Sequence, residues 1–347
     1  MRTRARRGRG PGGAGRPSGH PGLLALALVS ILSGTLAHAA QAEPLVLESK
    51  ILLGDVKGRI DHLAVDAGRE RLYVAELGNG SVGVVDLKNG SVIRTLTGFH
   101  EPQGIGYEAG TDTVHIANGG DGSVRVLHGS DFAPAGAVEL GADADNVRID
   151  SAAHQVIVGY GSGALAVIDP TTRTKLAEIP LKAHPESFQL ETNGNRIFVN
   201  VPDAREIAVV DRAAGKQTAS WPTRELRKNF PLAIDEAHQR VWVMFRDPAK
   251  LGALSMHDGS LLTALDACGD ADDLFVDSKR GRVYVTCGEG FIDVFAAQDG
   301  GYVKTARLAT SPGARTALFV PALDRLFLAV RATAQEKAAI WIFRTSS

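Results

Sequence analysis

The stretch RLYVAELGNGSVGVVDL, residues 71–87, reads as two short strands joined by a tight turn. Its apolar residues lie on either side of Gly-Asn-Gly-Ser at positions 78–81. An Asn-Gly pair between apolar runs is a strong local signal for a β-hairpin. Because a lone hairpin is at best marginally stable in water, this one must pack against further strands.

The first strand of this hairpin recurs along the chain. The copies are RLYVAE from Arg71, TVHIAN from Thr113, QVIVGY from Gln155, RIFVNV from Arg196, RVWVMF from Arg240, RVYVTC from Arg282 and RLFLAV from Arg325. In most copies an acidic residue stands six positions before the first apolar residue of the strand. A period of about 40–45 residues with only strand-like content is typical of propeller blades. No segment shows a sustained apolar period of 3.6 residues, which indicates an all-β chain.

Each period divides into four strands separated by turn residues. In the first period these strands are residues 63–65, 72–75, 81–85 and 92–96. The last period ends at AAIWIFRTSS, which matches only the third strand of a blade. The stretch from residue 45 to residue 62 supplies a spare strand at the other end. We therefore predict a seven-bladed β-propeller with four-stranded antiparallel blades, whose last blade is closed by the N-terminal strand.

The recurring strand also resembles the YVTN repeat of bacterial seven-bladed propellers. The residues that carry the resemblance are Tyr73-Val74-Ala75, Ile116-Ala117-Asn118, Phe198-Val199-Asn200 and Tyr284-Val285-Thr286. The chain looks like an exported, YncE-like member of this family over residues 43–347. Propellers of this kind include lactonase-type enzymes, subunits of redox enzymes and non-catalytic binding proteins, so the resemblance implies an architecture and leaves the chemistry open.

The first 42 residues have a different composition from the rest of the chain. Six arginines and no acidic residue precede an apolar run at residues 23–36, and small residues follow it. This pattern predicts a secretory signal that is cleaved after Ala39 or Ala42. Cleavage leaves a single propeller domain, residues 43–347, without a later apolar segment that could span a membrane. We expect a periplasmic or secreted monomer.

Charge argues against nucleic acid as a partner. Without the leader, Lys plus Arg falls from 38 to 32 while Asp plus Glu stays at 39, which leaves a net charge near −7. Nucleic-acid-binding surfaces are basic. The expected partner is a small molecule or a periplasmic protein.

Two cysteines, Cys268 and Cys287, remain in a chain predicted to be exported. An even number of cysteines in an oxidising compartment permits a disulfide. In an antiparallel strand pair that turns near residues 278–281, Asp272 would face Cys287 and Cys268 would lie nearby. We predict a bridge that joins two blades, with two inert thiols as the alternative.

Polar residues gather where the innermost strand of each blade begins. A ring of blades would direct them to one end of the central channel. The candidate ligand-binding residues are Asp61, His62, Gln103, Asp145, Asn146, His184, Glu186, Asp272, Asp273 and Arg315. Carboxylates this close together raise one another's pKa unless a cation neutralises them. That cation is either internal (His62, His184, Lys228 or Arg315) or a bound divalent ion such as calcium.

A calcium site would use oxygen ligands, and carboxylates with one amide oxygen are suitable. The candidate metal ligands are Asp61, Asp145, Asn146, Glu186 and Asp272. The alternative interpretation of all these polar residues is a channel mouth that is simply filled with water.

Two functions are compatible with these residues. The first is a non-catalytic module that binds a ligand or a protein through the central funnel face. The second is a lactonase-like hydrolase in which a metal or Arg315 polarises the carbonyl and His62, His184 or Glu186 is the general base. Short turns between second and third strands favour the first, because they offer little material for a lid.

Overall fold

The computed structural model describes residues 13–14 and 43–346, so the predicted signal sequence and its cleavage site lie almost entirely outside the described residues. Within the described ranges, 28 strands form seven four-stranded antiparallel sheets. The innermost strands contact one another in blade order, and the seventh returns to the first. The predicted seven-bladed β-propeller is therefore confirmed.

The strands follow one another along the chain with short connections. The first strand is β1 (Leu45–Leu52). Blade 1 contains β2 (Leu63–Asp66), β3 (Arg71–Glu76), β4 (Ser81–Asp86) and β5 (Ser91–Thr97). Blade 2 contains β6 (Pro102–Glu108), β7 (Thr113–Asn118), β8 (Ser123–His128) and β9 (Pro134–Glu139). Blade 3 contains β10 (Ala144–Asp150), β11 (Gln155–Tyr160), β12 (Ala164–Asp169) and β13 (Thr174–Pro180).

The remaining blades repeat this order. Blade 4 contains β14 (Phe188–Leu190), β15 (Arg196–Val201), β16 (Glu206–Asp211) and β17 (Lys216–Pro222). Blade 5 contains β18 (Arg227–Asp235), β19 (Arg240–Asp247), β20 (Ala249–Ser255) and β21 (Leu261–Asp266). Blade 6 contains β22 (Ala271–Asp277), β23 (Arg282–Cys287), β24 (Phe291–Gln298) and β25 (Gly301–Ala309). Blade 7 contains β26 (Ala317–Val320), β27 (Arg325–Val330), β28 (Ala339–Thr345) and β1. Single turns of 3₁₀ helix occur at Leu77–Asn79, Pro202–Ala204, Glu236–His238 and Pro321–Leu323.

The N-terminal strand closes the ring as predicted. β1 pairs antiparallel with β28, from Leu45 opposite Thr345 to Leu52 opposite Ala339. The Leu53 N–H donates to the Ala338 carbonyl at 2.8 Å and extends the pairing by one residue. This junction gives β28 a partner strand and joins the two ends of the folded chain, which removes a sheet edge that would otherwise stay open.

The recurring acidic residue closes the turn between the first and second strands of a blade. In blade 1, the Arg69 N–H donates to Asp66 Oδ1 at 3.1 Å. The corresponding acceptors of turn N–H groups in five other blades are Glu108, Asp150, Glu191, Asp235 and Asp277. Asp and Glu stabilise a turn by accepting backbone hydrogen bonds that would otherwise be lost. Blade 7 has Val320 instead, followed by a turn that begins with a proline.

The core consists of apolar seams between neighbouring blades. The second strands are almost entirely buried, from β3 to β27. Trp242 of β19, for example, is fully buried and makes an edge-to-face contact with Tyr302 of the next blade, with ring centroids 4.7 Å apart. Burial of an aromatic side chain of this kind contributes about 2–3 kcal/mol.

Cys268 and Cys287 form the predicted disulfide, with an S–S distance of 2.03 Å. The predicted register beside it was wrong by one residue. Ala271, and not Asp272, pairs with Cys287, because a β-bulge lies between Ala271 and Asp273. The bulge frees Asp272 from the strand ladder and directs it elsewhere.

Candidate ligand site at the channel mouth

Backbone bulges at the start of the innermost strands position the polar side chains. The strand pairing is interrupted between Pro102 and Ile105, Ala144 and Val147, Asn229 and Leu232, and Ala271 and Asp273. A bulge takes a residue out of the ladder and changes the direction of its side chain. Gln103, Asp145, Phe230 and Asp272 occupy these interruptions.

In blades 1 and 4 the corresponding residues precede the paired strand. The Asp61 N–H donates to the Ala75 carbonyl at 2.7 Å, and the Glu186 N–H donates to the Asn200 carbonyl at 3.0 Å. These backbone contacts hold both carboxylates at the same end of the channel as the bulges. We call this end the channel mouth.

Two arginines clamp Asp272. Arg246 Nη2 lies 2.5 Å from one carboxylate oxygen, and Arg315 Nε lies 2.7 Å from the other. Arg315 also donates to Asp270 Oδ1 at 2.7 Å. The guanidinium carbon of Arg246 lies 3.6 Å from the centroid of the Phe230 ring. Burial lowers the pKa of Arg315, but the facing carboxylates of Asp272 and Asp270 raise it by more.

A second group surrounds Asp61 and Asp273. Asp61 is 1% exposed and bonds Arg59 at 2.7 Å through Oδ2, while its Oδ1 has no hydrogen-bond partner. His62 lies between the two carboxylates, 4.0 Å from Asp61 Oδ1 and 3.9 Å from Asp273 Oδ2. Burial raises the pKa of Asp61 well above its ordinary value despite the opposing charge of Arg59. Burial likewise raises the pKa of Asp273 to about 7, against the influence of His62.

A third group centres on His184. Its Nδ1 is 2.6 Å from the Gly161 carbonyl and its Nε2 is 3.8 Å from Asp145. Burial lowers the pKa of His184, but Asp145, the Gly161 carbonyl and Asp143 together raise it to about 9. Burial, followed by the nearby charge of Asp145, raises the pKa of Glu186 to about 7.

The other predicted residues lie beside these groups. The Gln103 amide donates to Asp143 at 3.1 Å. Asn146 is 3% exposed, and its amide oxygen has no hydrogen-bond partner among the described residues. All ten predicted ligand-binding residues therefore lie at or next to the channel mouth.

The sequence does not point to Arg148 and Arg246, two further basic residues beside these groups. Arg148 donates to the Val147 carbonyl at 2.9 Å, and burial lowers its pKa against the charges of Asp273 and Asp145. Arg246 stands near the end of β19, which is longer than most second strands. Neither residue stands at one of the recurring positions where the innermost strands begin, so the repeat did not point to them.

The predicted calcium ligands do not form a metal centre in this arrangement. No group of three or more His, Cys, Asp or Glu side chains within residues 43–346 is placed to hold a metal ion. Both oxygens of Asp272 face guanidinium groups instead. Cations from the chain itself supply much of the neutralisation that the crowded carboxylates require.

A large cleft of about 920 Å³ opens at the mouth beside blades 4, 5 and 6. Its lining residues are His184, Glu186, Pro202, Asp203, Arg205, Arg227, Lys228, Phe230, Arg246, Asp247 and Asp270. A cavity of this size accommodates a small molecule. A second cavity of about 160 Å³ is lined in part by Arg59, Arg315 and Arg331. Asp270 lines both cavities.

Comparison with known proteins supports the fold and no particular activity. No protein-family model and no curated protein sequence matches this chain. Among solved structures, a chain of the "Crystal Structure of Mitotic Checkpoint Complex" is similar with a TM-score of 0.74 and 13% identity, over 87% of this chain and 92% of that chain. A chain of "Kuenenia stuttgartiensis Hydrazine Synthase" is similar with a TM-score of 0.73 and 15% identity, over 87% of this chain and 97% of that chain. At these identities the likeness shows a shared propeller fold.

Within the described part of the chain, no helix has the length and apolar character needed to cross a membrane.

Proposed function

We propose that this protein is an exported, YncE-like propeller of the YVTN-repeat type. It acts in the periplasm or outside the cell as a non-catalytic module that binds a small ligand or a protein partner through the channel mouth. The resemblance of the repeats supports the family, and the signal-like leader supports export. The disulfide fits an oxidising compartment.

The observation that carries the binding role is the 920 Å³ cleft beside the mouth. Its wall combines the half-buried ring of Phe230 with charged groups from three blades. Ligand sites commonly pair an apolar surface with a few polar groups that fix orientation. Carboxylic acids with pKa values near 7, such as that of Glu186, also tend to cluster at functional sites.

Two of the candidates for a hydrolytic role, His184 and Arg315, are poorly prepared for it. A pKa of about 9 leaves His184 protonated at neutral pH, so it is a weak general base. Arg315 already binds Asp270 and Asp272, and polarising a substrate carbonyl would require it to give up one of these contacts. Ion-paired in this way, the mouth is better suited to binding than to turnover.

A thermal-shift screen with the purified exported protein tests this role. The library contains periplasmic metabolites, lactones and divalent metal ions. We expect at least one compound to raise the melting temperature in a concentration-dependent manner, because ligands that prefer the folded state stabilise it. The compound should be recovered chemically unchanged. Pull-down from a periplasmic extract covers the case of a protein partner.

Two variants locate the binding. Glu186→Gln changes a charge in the cleft, and Glu139→Gln makes the same change on the exposed outer strand β9. The proposal predicts altered affinity for the first and unchanged affinity for the second. If the wild type converts a lactone and the Glu186→Gln variant does not, the result would instead support the hydrolase. Equal binding by both variants would place the ligand elsewhere.

A further inference from the structure

The turn between the second and third strands differs in blade 4. In blades 1, 2 and 6 the residue just before the third strand is a glycine, namely Gly80, Gly122 and Gly290, with φ angles of 64°, 70° and 93°. Blade 4 has Arg205 there, with a φ angle of 53°. The left-handed conformation is unfavourable for a residue with a side chain and natural to glycine. Blade 4 therefore carries an arginine where its own backbone favours glycine.

The backbone contacts of this turn do not require an arginine. The Arg205 N–H donates to the Pro202 carbonyl at 2.9 Å, and the Arg205 carbonyl accepts from the Thr223 N–H at 3.0 Å. A glycine would make both contacts. Among residues 43–346, no hydrogen bond or ion pair to the Arg205 guanidinium is found, although it lines the cleft. The Arg205 side chain is exposed and therefore available to a ligand in the cleft.

Lys228 on the next blade lines the same cleft and is exposed. Its left-handed backbone, with a φ angle of 56°, belongs to the repeat, because Glu101, Asp143 and Asp270 have it at the same position of their blades. No acidic side chain in the described ranges lies within ion-pair distance of its ammonium group. Two cations without acidic partners therefore face one cleft.

The remaining charges of the cleft are largely paired. Arg227 lies 2.9 Å from Asp247, and Asp270 lies 2.7 Å from Arg315. Asp203 and Glu186 are the acidic residues of the lining that form no ion pair among the described residues, and Asp203 lies outside ion-pair distance of Arg205 in the same turn. Arg246 is paired with Asp272 at 2.5 Å, and His184 is protonated at neutral pH. With His184 charged, five basic and four acidic residues line the cleft, a small excess of positive charge in a chain that is acidic downstream of the leader.

We propose that this cleft binds a small anionic molecule through a carboxylate or phosphate group held by Arg205 and Lys228. This inference deepens the proposed function and rests on it. A guanidinium presents parallel N–H donors that match both oxyanions, and an ammonium group adds a point charge. The unpaired state of both side chains lowers the cost of binding, because no internal ion pair must break first.

Isothermal titration of the exported protein with citrate and with inorganic phosphate, at constant ionic strength, tests the inference. Citrate reports a preference for carboxylates and phosphate a preference for phosphoryl groups. We expect Arg205→Gly and Lys228→Gln each to weaken binding of the preferred anion by about tenfold. Arg205→Gly should also keep or raise the melting temperature, since glycine suits the left-handed turn.

A matched control removes the same charge from the same backbone conformation elsewhere. Arg173 has a φ angle of 58° in the turn between β12 and β13, at the opposite end of the propeller from the mouth. Arg173→Gly should leave anion affinity unchanged. An equal loss of affinity in Arg173→Gly and Arg205→Gly would reduce the effect to net charge and overturn the inference.

Failure of the inference can be told apart from failure of the proposed function. If neither anion binds, but a neutral compound from the thermal-shift screen binds and depends on Glu186, the mouth is a ligand site and the anionic class is wrong. If no compound and no protein binds at the mouth, both proposals fail.

Discussion

The two ends of the innermost strands use acidic residues in different ways. At the end away from the mouth, an Asp or Glu occupies the same position in six blades, and each accepts a backbone hydrogen bond of its turn. At the mouth, the acidic residues change from blade to blade. There Asp61 has a carboxylate oxygen without a hydrogen bond, and the pKa values of Glu186 and Asp273 are raised to about 7.

This contrast distinguishes carboxylates that stabilise the fold from carboxylates whose ionised form is less stable in the folded chain. A carboxylate that accepts turn hydrogen bonds stabilises the native state. A carboxyl group whose pKa is raised is less stable as an anion in the folded chain than in the unfolded chain. A fold selected for stability alone would not concentrate such groups at one opening, whereas binding sites commonly do.

We expect the largest effect from the removal of a turn contact at the end of the innermost strands away from the mouth. Asp277 is 2% exposed and accepts hydrogen bonds from Arg280 at 3.1 Å and from the Tyr284 hydroxyl at 2.8 Å. Asp277→Ala leaves the buried Tyr284 hydroxyl and the Arg280 N–H of the turn without their acceptor and breaks one of the ion pairs of Arg280, which keeps Asp324, so we expect the unfolding free energy to fall by about 4 kcal/mol. Asp55→Ala, at an exposed ion pair, should cost less than about 1 kcal/mol. Urea denaturation measures both, and similar losses would contradict the contrast.

The disulfide should contribute nearly as much. Cys268 and Cys287 close a loop with a sequence separation of 19 residues next to the mouth residues Asp270 and Asp272. Replacing both cysteines with alanine should lower the unfolding free energy by about 3 kcal/mol in the chain-entropy account. Thermal unfolding of the wild type with and without reductant provides the comparison, and the reduced wild type should approach the double variant. A reductant effect of similar size on the double variant would attribute the change to another cause.

The pH dependence of stability sharpens the description of the mouth. Glu186 and Asp273 have folded pKa values of about 7, above their ordinary values of 4.5 and 3.8. Their contribution to stability is therefore complete below about pH 4 and is lost as the pH rises to about 7, by about 3–4 kcal/mol for each group. Denaturation of the wild type and of Glu186→Gln/Asp273→Asn should differ in slope over this range. Parallel curves would show that these groups titrate as they do in the unfolded chain.

The smallest expected effect concerns the turn of blade 4. Arg205→Gly should raise the unfolding free energy by about 1 kcal/mol, because the glycine removes an unfavourable left-handed conformation. Part of this gain is offset by the greater freedom of glycine in the unfolded chain. Chemical denaturation at neutral pH measures the change. A loss of stability would indicate that the arginine side chain supports the turn.

Much of the fold was predictable because each blade repeats one local rule. Strand alternation, turn residues and the period indicated the seven blades, and the incomplete last period indicated closure by β1. The disulfide followed from two cysteines near one turn, although the bulge at Asp272 shifted the register beside it. Bulges depend on contacts across the sheet, so local sequence does not locate them.

The candidate site was predictable only where it followed the repeat. The recurring positions at the starts of the innermost strands led to Asp61, Asp145 and Glu186. Arg205 and Arg246 were missed because they lie in a turn and near the end of a second strand. Their importance arises from which blades are neighbours around the ring, and that information is absent from a single period of the sequence.

The central claim is that the acidic groups of the mouth are retained for binding at a cost to stability. The unfolding free energy of Glu186→Gln at pH 8, relative to the wild type, tests it most directly. At this pH the wild-type carboxyl group is ionised above its folded pKa of about 7, so the neutral variant should be more stable, by about 3 kcal/mol. A variant less stable than the wild type at pH 8 would show that Glu186 serves the fold and would contradict the claim.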